Sequence, residues 1–166
     1  IIVAEGLNAG FGTYKDELCP YDKMSDGYNE NLRFYSDYKL RDYNILSNDT
    51  DIIKNEIINN GAVTLSFNCI KKCFSQDNGK SYCDNKQTIS EIGDQSHLVV
   101  IAGWDDNYSR DNFTGEVQPQ NDGAWLCKNS WGEQYGDNGY IWISYESCNL
   151  IYGQFIMQDN SRFDNE

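Results

Sequence analysis

The sequence has few histidines, prolines and basic residues, and each shortage excludes something. His97 is the single histidine among 166 residues, so a zinc site built on several histidines is not expected. Only two prolines and no low-complexity tract are present, which argues against a disordered chain. Lysine and arginine number 13 against 26 aspartates and glutamates, giving a net charge of −13. This balance argues against nucleic acid or an anionic membrane as a partner, because both are bound by basic patches.

Long apolar runs are also missing. None approaches the ~20 residues that span a bilayer, and no signal peptide is visible. The chain begins with Ile1, Ile2 and Val3 rather than with methionine. We therefore expect that this N-terminus was set by a cloning boundary or by a proteolytic cut.

Six cysteines are present and none forms a CxxC pair. An even count without such pairs favours disulfides over zinc. Cys73 and Cys83 bracket a polar loop and could pair, although six cysteines allow 15 connectivities in all. This pattern favours an oxidising setting, so the protein is expected to be secreted or otherwise extracytoplasmic.

The hydrophobic pattern predicts an irregular lead-in over residues 1–48, then one clear helix and several antiparallel strands over 49–166. Asp49 or Asp51 can cap the helix, and Gly61 can end it. Its apolar positions are Ile52, Ile53, Ile57 and Ile58. Strands are predicted at residues 63–67, 98–102, 124–127, 140–145 and 151–157, with polar segments at 68–94 and 105–123. The predicted class is α+β with a barrel-like or strongly curved sheet, and no linker divides residues 1–166.

Two blocks of sequence point to chemistry. The first is SHLVVIAGWD over residues 96–105, which places His97 at the start of a buried strand. The second is GAWLCKNSWG over residues 123–132, followed by YGDNGY over 135–140. Together, and in this order, they closely resemble the histidine and asparagine signatures of the papain family of cysteine proteases. The resemblance covers nearly the whole chain, including the segment from Glu17 to Asp22 and the helix-strand unit from Asp51 to Phe67.

The resemblance implies a role for each matching residue. His97 would act as the general base and acid beside a cysteine thiolate, and Asn129 would orient its ring by a hydrogen bond. Trp131 would cover that bond on the leaving-group side of the substrate. Val63 and Leu98 match positions that line a substrate pocket. Leu98 stands where the family usually has alanine, and Ser96 stands where it usually has aspartate or asparagine.

No cysteine of this sequence matches the motif that carries the nucleophile in the family. It opens a long helix, whereas Cys19 precedes Pro20 and the other five cysteines lie in strands or polar segments. Three explanations stay open: the thiol lies on a companion polypeptide, the chain is an excised fragment, or the protein is an inactive relative that binds peptides or proteins. The first predicts peptide-bond hydrolysis of a peptide or protein substrate by a two-chain enzyme.

No metal or cofactor is predicted. Oxygen-bearing side chains from Asp105 to Glu116 follow the spacing of an EF-hand loop. Arg110, however, stands where that loop requires glycine, and no flanking helices are evident, so a solvated loop is the expectation.

Overall fold

The computed structural model describes residues 38–93 and 95–159. In chain order, the described residues form β1 (Tyr38–Leu46), α1 (Thr50–Asn60), β2 (Val63–Asn68), β3 (Ser81–Tyr82), α2 (Lys86–Ile92), β4 (Ser96–Asp105), β5 (Ala124–Lys128), β6 (Tyr140–Ser144) and β7 (Ile151–Asp159). The seven strands are ordered β1-β7-β2-β4-β5-β6-β3 in one sheet. The α+β class predicted from the sequence is thereby confirmed.

Two units make up the chain. The larger spans residues 45–154, and the smaller combines residues 1–44 with 155–166. In the smaller unit the rings of Tyr43 and Phe155 lie 4.8 Å apart between centroids. All the site residues considered below belong to the larger unit.

Helix α1 begins and ends as its sequence indicates. The side chain of Asp49 accepts hydrogen bonds from the backbone N–H groups of Asp51 and Ile52, and Gly61 ends the helix at a φ of 90°. Ile53 is fully buried, whereas Ile52 and Ile58 are exposed. The predicted helix is correct, but only part of its isoleucine pattern faces the core.

The core of the larger unit lies on one face of the sheet. Alternate residues of β2, β4, β5 and β6 point into it, as expected for strands with one buried face. The fully buried residues include Ile53, Val63, Leu65, Phe67, Ile101, Trp125, Ile141 and Ile143. Neither described helix has the length and apolar character needed to cross a bilayer.

Several sequence predictions need correction. Residues 38–46, placed in the irregular lead-in, form β1, and the polar segment 68–94 contains β3 and a second helix, α2. In α2, Asn85 and Thr88 cap each other's backbone N–H groups, which supports a helix of only seven residues. Strand β3 pairs parallel to β6, so the sheet is not antiparallel throughout.

Cys73 and Cys83, one of the possible disulfide pairs, are not bonded to each other. The backbone N–H of Cys83 donates to the carbonyl of Cys73 at 3.3 Å, but the side chains pack apart. Cys73 joins the main core, and Cys83 lies in a small cluster with Phe113 and Ala124. All five cysteines of the described residues are free thiols. Cys19, and the segment from Glu17 to Asp22, lie outside the described residues.

Candidate active site

His97 is the second residue of β4, where the strand has just entered the sheet opposite Phe67 of β2. One side of its ring meets the edge of Phe67, with centroids 5.7 Å apart. Trp131 stacks on the ring at 4.8 Å with an interplanar angle of 19°. The imidazole is therefore in contact with two aromatic side chains, one of them stacked on it.

Asn129 directly follows β5 and is held in place by its own backbone. Its N–H donates to the carbonyl of Gly139 at 2.9 Å, across the turn that leads into β6. Only 9% of the residue is exposed. The side-chain Oδ1 lies 2.9 Å from Nε2 of His97 and also accepts the backbone N–H of Ser130 at 2.8 Å.

These two contacts fix the tautomer of His97. The backbone N–H of Ser130 can only donate, so the atom of Asn129 that faces it is the carbonyl oxygen rather than the amide nitrogen. The same oxygen faces Nε2 of His97, which must therefore carry a proton and donate it. Nδ1 is left as the nitrogen that can take up or release a proton. It has no hydrogen-bond partner among the described residues.

Trp131 is supported by two further aromatic rings that the sequence analysis did not single out. Tyr135 meets it edge-on at 4.7 Å, and Phe74 lies 5.8 Å from it. Tyr135 belongs to the YGDNGY block, which is a signal that could have identified it. Phe74 comes from the polar segment, and no periodic pattern marks it. Together these rings hold a partly exposed indole in position beside the base.

The two predicted substrate-pocket residues differ in position. Leu98 is 47% exposed on the face of β4 opposite to His97, whereas Val63 is fully buried in the core at the start of β2. The residue of β2 that pairs with Leu98 is Ser66. Side chains of directly paired residues share one face of a sheet. The structure thus brings Ser66, rather than Val63, next to Leu98.

None of the described cysteines has the surroundings of a nucleophile. Burial raises the pKa of Cys83 to about 12, and burial also raises the pKa of Cys127 and Cys73. The pKa of Cys69 and of Cys148 is likewise raised by burial. A reactive cysteine needs a lowered pKa, because the thiolate is the attacking species. The described residues also bring together no group of three or more metal-binding side chains.

Several known proteins are similar to this chain in sequence. The family model of the papain family cysteine proteases matches residues 5–156. Human tubulointerstitial nephritis antigen is 32% identical over 104 residues, covering 61% of this chain and 20% of the antigen. A probable cysteine proteinase, 224L, of invertebrate iridescent virus 6 is 28% identical over 118 residues, covering 61% of this chain and 25% of that protein.

Solved structures agree with the family match. The Clostridial cysteine protease Cwp84 after propeptide cleavage superposes with a TM-score of 0.77 at 30% identity, covering 95% of this chain and 40% of that one. Digestive procathepsin L2 from Tenebrio molitor gives a TM-score of 0.61 at 20% identity, covering 92% and 45%, which shows the fold alone. The chain therefore spans less than half of these structures, and a quarter or less of the curated relatives named above.

Proposed function

The chain belongs to the papain family of cysteine proteases, and from this premise we propose that it supplies the base and the orienting amide of a cysteine-type peptidase. The observation that carries the proposal is the hydrogen bond from Nε2 of His97 to Oδ1 of Asn129, which leaves Nδ1 available. The thiolate would come from a segment outside these 166 residues, either a companion polypeptide or a preceding part of the same protein.

The proposed reaction is acyl transfer followed by hydrolysis. The thiol gives its proton to Nδ1 of His97, and the resulting thiolate attacks the carbonyl carbon of the peptide bond. Nδ1 then protonates the leaving amine as the carbon–nitrogen bond breaks and a thioester forms. A water molecule, deprotonated by Nδ1, attacks the thioester and releases the acid and the thiol. Asn129 keeps the ring aimed throughout, while Trp131 shields the bond between them from water.

An exposed face of the sheet with large apolar side chains supports the proposal that another segment carries the cysteine. Leu98, Val100 and Ile151 are 47%, 38% and 57% exposed. Pairing of Ser66 with both Leu98 and Ile151 places these side chains on the same face of the sheet. Ser66 of β2 lies between Ile151 and Leu98, so the face combines polar and apolar side chains. Large apolar side chains exposed together on one face are typical of a binding site for another polypeptide. We propose that the segment carrying the cysteine covers it.

A second candidate function is peptide or protein binding without catalysis. One observation favours it: a relative has a name that is that of an antigen rather than of a protease. In this case His97 and Asn129 would serve only to hold the turn between β5 and β6 against β4.

Intact-mass spectrometry and peptide cleavage by the natively purified protein separate the two. The peptidase requires a second cysteine-bearing segment in the purified material, inactivation by a thiol alkylator, and loss of cleavage in His97→Ala. Tryptic mapping should place the alkylated cysteine outside residues 1–166. A chain of 19.1 kDa without any companion or additional segment, and without cleavage of peptides, would establish the binding protein instead.

We also propose that the protein acts outside the cytoplasm. The support is similarity to Cwp84, which is described as a surface layer associated protein of Clostridium difficile. Fractionation of the source cells with an antibody to the chain tests this, and recovery in the cytosolic fraction alone would contradict it.

A further inference from the structure

A large cleft lies on the Trp131 side of the candidate site. Its volume is about 860 Å³, and its lining includes residues of the segment 71–76 and of the loop 114–116. Phe74 and Tyr135 line it, and these are the two rings that contact Trp131. Gln95, two residues before His97, lines it as well. The cleft therefore begins one aromatic ring beyond the base.

Two of the lining segments, 71–76 and 114–116, are joined by hydrogen bonds and tight packing. The backbone N–H of Glu116 donates to the carbonyl of Lys72 at 2.8 Å, and that of Gln76 donates to Oγ1 of Thr114 at 3.1 Å. A Cβ added at Gly115 would stand 2.6 Å from the carbonyl oxygen of Cys73. These two lining segments are thus fixed against each other, which holds this side of the cleft in place.

One charged residue of the cleft, Lys71, has no ion pair among the described residues. Three charged residues line it: Lys71, Lys72 and Glu116. The ammonium of Lys72 lies 2.9 Å from carboxylate oxygens of both Glu91 and Glu116 and is therefore neutralised. Lys71 is exposed and forms no ion pair among the described residues. Lys71 is therefore available to pair with an acidic group of a ligand.

We propose that this cleft binds the leaving-group part of a peptide substrate, and that Lys71 selects an acidic side chain there. The direction of the peptide rests on the function proposed above, since Nδ1 of His97 protonates the leaving amine and the leaving segment must start beside that ring. An extended residue spans about 3.5 Å. Two or three residues beyond the scissile bond therefore cover the ring-to-ring steps of 4.8 Å from His97 to Trp131 and 5.8 Å from Trp131 to Phe74.

The test compares quenched fluorescent peptides that differ at one position, two or three residues after the scissile bond. The full protein, with its cysteine-bearing segment, should cleave the aspartate peptide with a kcat/KM about threefold above the isosteric asparagine peptide. This is the size expected of one solvent-exposed ion pair. The preference should shrink as ionic strength rises.

Variants assign the preference to one residue. Lys71→Gln should abolish the difference between the aspartate and asparagine peptides, and Lys71→Glu should reverse it. Lys86 is also an exposed lysine, but it begins α2 and does not line the cleft. Lys86→Gln is therefore the matched control and should keep the preference. Equal kcat/KM for the two peptides, or the same preference in Lys71→Gln, would overturn the proposal.

A binding measurement separates this inference from the function on which it rests. Fluorescence anisotropy of the labelled aspartate and asparagine peptides reports occupancy of the cleft without any cleavage. One possible result is that no peptide is cut, that the aspartate peptide binds about threefold more tightly, and that only Lys71→Gln removes the difference. This result would support the proposed binding site in the cleft and contradict the proposed peptidase activity. If peptides are cut but the aspartate peptide is preferred neither in binding nor in kcat/KM, only the proposed role of the cleft and Lys71 is contradicted.

Discussion

The two polar atoms of the Asn129 side chain differ in their hydrogen bonding. Its oxygen accepts hydrogen bonds from His97 and from the backbone of Ser130. Its amide nitrogen is buried without a hydrogen-bond partner among the described residues. A buried unsatisfied donor costs about 1–3 kcal/mol. The residue is therefore placed where it orients a ring at the expense of stability, which is characteristic of functional positions.

Replacing Asn129 by alanine should separate orientation from stability. We expect Asn129→Ala to lower kcat/KM about 10- to 100-fold, because a mispositioned base loses much of its effect. The free energy of unfolding should change little, since the unsatisfied donor disappears together with the accepted bonds.

Steady-state kinetics and urea unfolding check both parts of this prediction, with the exposed Asn107→Ala as a control. NMR gives a readout independent of activity, because the chain has a single histidine and its Nε2–H signal is unambiguous. That signal should lose its protection from exchange in Asn129→Ala. An unchanged signal would show that Asn129 does not orient the ring.

Asp84 is a buried carboxyl group whose Oδ1 accepts the backbone N–H of Cys148 at 2.7 Å and whose Oδ2 has no partner among the described residues. Burial raises the pKa of Asp84 above its ordinary value. The folded chain thus favours the protonated acid, and the resulting stability is complete below the unfolded pKa of about 4. It is lost as pH rises through the folded pKa.

Asp84→Asn should therefore be more stable than the wild type at pH 7, and the two should converge as pH falls towards about 4. The reason is that asparagine resembles the protonated acid at every pH. Urea unfolding at several pH values measures the difference, with exposed Asp111→Asn as the matched change. A variant that is less stable at pH 7 would show that the ionised form of Asp84 is the one the fold requires.

At the residue scale, the sequence identifies the site only as far as its motifs extend. His97, Asn129 and Trp131 lie in two contiguous blocks, and the structure brings the three side chains together. Val63 and Leu98 were both predicted to line a substrate pocket. The residue of β2 that pairs with Leu98, however, is Ser66, three positions after Val63. A shift by an odd number of positions moves a strand residue to the other face of the sheet. Short alternating strands do not fix that register by themselves.

Elements were predictable where the pattern is long. Helix α1 and strands β2, β4, β5, β6 and β7 were expected and are present. Helix α2 was missed because its seven residues complete only two turns, with Ile89 and Ile92 as apolar positions. Its capping pair, Asn85 and Thr88, is a local signal that could have identified it. Strand β3 has two residues and depends on tertiary pairing alone.

Helix α1 offers a matched pair of isoleucines. Ile53 is fully buried, and Ile58 is 68% exposed in the same helix. Ile53→Ala should lower the free energy of unfolding by about 2–5 kcal/mol through lost burial and a cavity. Ile58→Ala should stay within about 0.5 kcal/mol of the wild type. Urea denaturation measures both, and similar losses at the two positions would contradict the placement of this helix.

Gly115 tests how the loop 114–116 packs against the segment 71–76, and Gly103 of β4 is the control. Gly115→Ala should destabilise the chain by about 1–3 kcal/mol, because the new methyl group would collide with the backbone of Cys73. Gly103, in β4, has open space where a Cβ would lie and no positive φ. Gly103→Ala should therefore change stability by less than about 1 kcal/mol. Thermal unfolding compares the two, and equal stabilities would mean that the loop at Gly115 packs less tightly than described.

At the scale of the whole molecule, the exposed apolar face predicts an assembly partner. Replacing both Leu98 and Ile151 by serine should leave the fold intact, because both side chains already face solvent. The same change should raise the dissociation constant for a companion polypeptide about tenfold or more. The matched variant Ile58→Ser alters an isoleucine on α1 that is more exposed than either.

Native mass spectrometry and analytical ultracentrifugation measure the assembled fraction of these variants across a dilution series. The Leu98 and Ile151 double variant should dissociate at higher protein concentration than either the wild type or Ile58→Ser. Assembly as strong as in the wild type would show that the cysteine-bearing segment docks elsewhere.

The sheet ends at β3, which contributes only Ser81 and Tyr82 and pairs with β6 over two positions. Both residues are buried. A strand this short offers almost no free backbone to another molecule, and short edge strands are one way in which proteins prevent edge-to-edge aggregation. This end of the sheet is therefore protected from self-association, so a concentrated solution of the chain should not form fibres through it.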